Sequence, residues 1–149
     1  MQAHRIELVF ISFLFFLFSP FALADSIPSE PAGYVTDLTH TISLESLSNL
    51  KLIAESIEQK YRHPVYVLVA HSLEGRVLEE VTIEIAEKWK IGNKGVDDGV
   101  LIFFFLNDRK VRIEVGYGLE GTIPDVKAKQ IIRSVNLSYT SILSGLSYK

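Results

Sequence analysis

Asp97, Asp98, Glu120 and Asp125 are the side chains in this sequence best placed to do chemistry. They flank one very apolar stretch, Val100 to Val115, and Gly99, Gly116, Gly118 and Gly121 stand among them. Carboxylates held close together repel unless a cation or a proton sits between them. Oxygen-rich, glycine-bent loops suit a hard divalent cation such as calcium or magnesium. The spacing matches no EF-hand loop, and the absence of cysteine and the scattered histidines argue against zinc. Tyr117 lies between Gly116 and Gly118, which remove side chains beside the ring and leave backbone open to a partner. Each feature also has a structural reading. Asp97-Asp98-Gly99 makes an ordinary turn if the Asp side chains bond nearby backbone. Thr122 and Asp125 have the spacing of a helix capping box. Glu120 can be solvated, Tyr117 can pack inward, and His63 before Pro64 reads as a cap or surface residue. His71 has no Ser or Asp partner at a useful spacing, so no nucleophile–base pair stands out.

The elements that position these residues follow from periodicity. Ser43 to Tyr61 is a helix with Leu47, Leu50, Ala54, Ile57 and Tyr61 on one face. Arg62-His63-Pro64 ends it, because the residue before proline resists helical geometry. Val65 to Ala70 is apolar on both faces, as in a strand covered by layers on each side. A second helix from Val77 to Trp89 turns Leu78, Val81, Ile85 and Trp89 inward. Val100 to Leu106 is another apolar strand, and Val111 to Val115 alternates, with Arg112 and Glu114 on the polar face. A third helix opens at Thr122-Ile123-Pro124-Asp125 and runs to about Val135. Strand–helix–strand units are right-handed parallel crossovers, and the last two strands form an antiparallel hairpin. The expected fold is α/β: a three-layer α/β/α sandwich on a small mixed sheet. With Asp108-Arg109 as a two-residue turn, Gly99 lies opposite Gly118, Asp98 opposite Leu119 and Asp97 opposite Glu120. His63 then lies near Asp98, whereas His71 and Asp37 lie at the Asp108 end.

Composition narrows the setting. Val9 to Phe21 is nearly all apolar, Arg5 precedes it, and Ala22-Leu23-Ala24 offers small residues to a signal peptidase. Residues 1–24 therefore read as a secretory signal peptide, since a spanning helix needs about 20 apolar residues and Pro20 interrupts this run. Residues 25–42 are an extended lead-in, residues 43–135 the domain, and residues 136–149 a tail. The net charge of -3, with no basic stripe to match a phosphate backbone, argues against nucleic acid as a partner. Without cysteine there are no disulfides and no thiol catalysis. The oligomeric state is open.

Two stretches, GYVTDLTHTIS from Gly33 and EKWKIGNKGVDDGVLIFFFLNDRKVRIEVGYGLEGTIPD from Glu87, resemble the TPM domain family of thylakoid-lumen photosystem II repair proteins and bacterial envelope proteins. The likeness runs from about Gly33 to Arg133. It implies an α/β/α sandwich, an exported, periplasmic or otherwise extracytoplasmic and membrane-associated location, and a role as an accessory module for envelope or membrane protein complexes. It also implies divalent-cation binding through acidic loops or, as the alternative, weak metal-assisted acid phosphatase activity. The matching motif positions are Asp97, Asp98 and Asp125, with Glu120 beside them; Asp37 matches the early VTD. Lys94 and Lys127 are the cations nearest this end that could face a phosphate. After Ile132 the tail leaves the family pattern and reads as a truncated or altered end.

Overall fold

The computed structural model describes residues 27–134. The signal-peptide reading of residues 1–24 and the reading of residues 136–149 as an atypical tail both fall outside that range. The chain order is β1 (Val35–Asp37), α1 (Leu44–Tyr61), β2 (Val65–Ala70), α2 (Leu78–Trp89), β3 (Val100–Phe105), β4 (Lys110–Val115), a 3₁₀ turn (Tyr117–Leu119) and α3 (residues 125–134). The four strands form one sheet in the order β1-β2-β3-β4. The first three are mutually parallel and β4 returns antiparallel to β3. This is the α/β sandwich expected from the alternation of apolar strands and amphipathic helices. Among the described residues no helix is long and apolar enough to cross a membrane.

Local chemistry sets the helix ends. Ser43 caps α1 by accepting the Ser46 N–H, and Arg62 ends it in the left-handed region at φ 66°. Ala54 is the buried centre of its inner face and Leu47, Leu50 and Ile57 are half-buried around it. Tyr61, expected on that face, is instead 56% exposed. It stands in the last turn, where the chain has begun to leave the sheet, and carries the Lys60 ammonium 5.0 Å from its ring centroid. In α2, Val81, Ile85 and Trp89 are buried as their spacing requires. They pack on Leu68, Ala70, Leu101, Phe103 and Phe105, which share one face of β2 and β3. The Trp89 indole N–H donates to the Pro28 carbonyl at 2.9 Å, so the lead-in crosses the end of α2. That segment also supplies β1, so the sheet begins before the domain boundary expected at residue 43.

The hairpin corrects the expected register. Val100 pairs with Val115 and Phe105 with Lys110, so Gly99 meets Gly116 rather than Gly118. The loop has four residues because the N–H groups of Leu106 and Asn107 follow β2, donating to the carbonyls of Ala70 and His71 at 3.1 and 2.8 Å. They are then unable to pair with β4. Arg109 closes the loop at φ 53°, and Asp108 accepts the Leu73 N–H at 2.7 Å. A slip of two residues leaves every side chain on its expected face. Val111, Ile113 and Val115 still share a face with Ile102 and Phe104.

Candidate functional site

Four of the glycines at the Asp98 end, Gly92, Gly99, Gly116 and Gly118, are explained by backbone packing. The loop from Ile91 to Gly99 folds on itself, and two of its three glycines, Gly92 and Gly99, touch. A Cβ on Gly92 would lie 2.6 Å from the Gly99 nitrogen, and one on Gly99 would lie 2.5 Å from the Gly92 nitrogen. The next layer is Gly116, whose Cβ would fall 1.9 Å from the Asp97 carbonyl oxygen. Gly118 follows, with 2.2 Å to the Val96 oxygen. These approaches let Gly116 N–H donate to Gly99 O at 2.8 Å and Gly118 N–H donate to Asp97 O at 3.0 Å. The space freed beside Tyr117 is thus filled by the chain at Val96 and Asp97.

Asp98 lies at the centre of this stack, 4% exposed. Its Oδ1 accepts the Asn93 backbone N–H at 2.7 Å, and its Oδ2 accepts from Asn93 Nδ2 and faces His63 Nδ1, both at 2.9 Å. Asn93 Nδ2 also donates to the Arg62 carbonyl at 2.9 Å, joining the glycine loop to the end of α1. The Asn93 backbone N–H, with help from its side chain and from His63, holds the Asp98 carboxyl down at about 2. An ionised carboxylate only accepts hydrogen bonds, so His63 carries a proton on Nδ1 towards Asp98, and Nε2 is the ring nitrogen turned away from the pair. This carboxylate–imidazole pair fixes a tautomer and a ring orientation, the arrangement used to present a histidine nitrogen for proton transfer or ligation. Sequence reading placed His63 near Asp98 but treated it as a cap or surface residue. Extending the parallel register two steps past Val65 and Val100 would have put Pro64 beside Gly99 and His63 beside Asp98.

The other three carboxylates do not join Asp98. The register leaves Leu119 and Glu120 past the end of the ladder, where the chain winds into the 3₁₀ turn. Asp97, Glu120 and Asp125 are exposed. Among the described residues no three Asp, Glu, His or Cys side chains gather in a group that could hold a metal ion. With both Asp98 oxygens already accepting hydrogen bonds, the calcium ligand set expected around Asp98 does not fit this geometry. The Thr122–Asp125 capping box is also replaced. The N–H groups of Thr122 and Ile123 both donate to the Leu119 carbonyl, so α3 starts later, at residue 125 after Pro124. Asp37, at the opposite end, accepts the N–H groups of Thr39 and Ile42 and the Thr39 hydroxyl, and this bonding holds its carboxyl below the usual carboxylate range.

An open groove of about 810 Å³ lies at this end, between the second half of α2, the glycine loop and the end of β4. Ile83, Ala86 and Val115 give it apolar walls, and Lys90, Lys94 and Asp97 charge its rim. Tyr117 stands at its mouth, 81% exposed. The ring is held out by its backbone: Leu119 is buried, and Leu119 N–H donates to Gly116 O at 2.9 Å. Glu114, also on the wall, accepts from the Thr82 hydroxyl at 2.6 Å and from Arg112 Nε at 2.5 Å.

Comparison with known proteins agrees with this fold. A family model described as TPM domain matches residues 35–141. The solution structure of the N-terminal domain of a protein from P. gingivalis is 31% identical with a TM-score of 0.63, over 68% of this chain and 64% of that one. The chain thus spans just under two thirds of that structure. The N-terminal domain of a Corynebacterium glutamicum protein, 16% identical over 78% of this chain and 72% of its own, shares the fold with a TM-score of 0.59. No curated protein matches.

Proposed function

Because the chain belongs to the TPM domain family, we propose that it is an extracytoplasmic docking module that holds a membrane protein partner in the groove beside Tyr117. The observation that carries this reading is the ring itself. An aromatic side chain 81% exposed on a backbone pinned by glycine contacts is already presented to solvent, and a Tyr has only two side-chain torsions to lose when a partner covers it. Exposed Tyr anchors beside small apolar pockets are common binding hot spots. The mixed rim of Lys90, Lys94, Glu87 and Asp97 suits a polar partner segment with an apolar anchor, the usual composition of a reversible interface.

Retention of a partner from solubilised envelope membranes tests this directly. A band held by the native chain is expected to be lost with Tyr117→Ala, at an unchanged denaturation midpoint. Retention of the same band by Tyr117→Ala would overturn the reading. Calcium is assigned no role at Asp98 in this reading, because that carboxylate is already fully bonded. Calorimetric titration with calcium is therefore expected to give the same isotherm for the native chain and for Asp98→Asn, measured where both are folded. A response abolished only in Asp98→Asn would return the ion to that carboxylate.

A further inference from the structure

We infer that the open edge of the sheet, β4, pairs with the β4 of a second copy of this chain. β4 is the last strand in the sheet order. Val100 N–H donates to Pro64 O and Leu106 N–H to Ala70 O, so alternate residues of β3 from Val100 address β2. Gly116 N–H donates to Gly99 O. Opposed residues of an antiparallel pair alternate between bonded and unbonded. Arg112 and Glu114 therefore bond inward to β3, and Val111, Ile113 and Val115 turn their N–H and C=O groups outward. None of those outward groups has a hydrogen-bond partner among the described residues. An unpaired row of this kind is a template for another strand.

The sequence of the edge selects its own copy. Val111-Arg112-Ile113-Glu114-Val115 is complementary to itself when run antiparallel about Ile113. Val111 then faces Val115, Arg112 faces Glu114 and Ile113 faces Ile113 across a two-fold axis. Such an isologous contact closes on itself and does not propagate. The axis falls on an outward-facing residue, so each outward residue exchanges both backbone bonds with its opposite. Moving the axis to Arg112 would set two guanidinium groups against each other and offer backbone already bonded to β3. Arg112 uses Nε on Glu114 and Nη1 on Glu79 within one copy, which leaves Nη2 for the opposing Glu114. Opposite charges directly across antiparallel strands stabilise the pair.

Sedimentation equilibrium of the full chain and its variants tests the pairing. The native chain is expected at twice the mass of one copy. Arg112→Glu and Glu114→Arg, which each oppose like charges, are expected as single copies. An equimolar mixture of the two is expected to recover the doubled mass, because every opposed pair then has opposite sign. Ile113→Pro removes an outward N–H, a substitution tolerated on edge strands, along with a half-buried side chain opposite Ile102, and is expected as a folded single copy by circular dichroism. A native chain that stays single, a mixture that stays single, or an Ile113→Pro chain that stays double would each overturn the proposal. A terminal segment of the same chain lying on β4 would produce the first of these outcomes.

Discussion

Gly116→Ala is expected to be the most damaging single-methyl change in this domain, costing at least about 3 kcal/mol and abolishing the folded state if the domain is only marginally stable. The new Cβ would lie 1.9 Å from the Asp97 oxygen and 2.6 Å from its carbonyl carbon. Both are backbone atoms, so no side-chain rotation relieves the overlap. Moving them apart would break the Gly116 N–H to Gly99 O and Gly118 N–H to Asp97 O bonds that close this end of the sheet. Gly121→Ala is the control. A Cβ there meets nothing within 4 Å, and the expected change is within about 0.5 kcal/mol. Urea denaturation midpoints of the two variants measure the difference. Similar midpoints would mean that the stacked glycines are not close-packed in solution.

Asp98→Ala is expected to cost about 3 kcal/mol, the scale of leaving buried donors without the charge they were built around. The Asn93 backbone N–H and side-chain amide and the His63 ring would lose their shared acceptor at once. The loop from Ile91 to Gly99 would also lose its bond to His63, while the Asn93 side chain keeps its bond to the Arg62 carbonyl. Asp98→Asn keeps the shape but offers only one oxygen, and falls between. The dependence on pH has a definite sign. Folding lowers the Asp98 carboxyl from 3.8 to about 2, so between those values the unfolded chain binds more protons. The stability from this group is then fully present above 3.8 and is lost as pH falls through about 2. Denaturation midpoints of the native chain and Asp98→Asn should differ most near neutrality and converge in strong acid. A gap that persists unchanged at pH 2 would remove the ionised carboxylate from the account.

The elements themselves were legible from sequence because each rests on a local rule. VYVLVA and VLIFFF are six-residue runs rich in β-branched and aromatic residues between turn signals, which marks buried strands, Pro64 fixes where α1 must stop, and Val81, Ile85 and Trp89 recur at helical spacing on an inner face. The even alternation of β4 also survived a wrong register, since a slip of two residues does not change faces. The turn was harder to read. Nothing local to Asn107 and Asp108 says that Leu106 and Asn107 will spend their N–H groups on β2, or that Asp108 will bind Leu73.

The sequence by itself determined the α/β class, the strand order of the hairpin, the family and the end of the sheet at which acidic residues and glycines collect. The class, the hairpin and that end of the sheet follow from side-chain period, backbone restriction and charge, which act over a few residues; the family follows from the likeness of its motifs. Only the tertiary structure decided what the collection is for. It brought Ile91–Gly92, Asp98–Gly99 and Gly116 into one backbone stack, buried Asp98 against Asn93 and His63, and left Asp97, Glu120 and Asp125 in solvent. Which carboxylate is buried depends on atoms brought together from distant parts of the chain. A pattern of residue types carries no information about those distances until the chain has closed on itself.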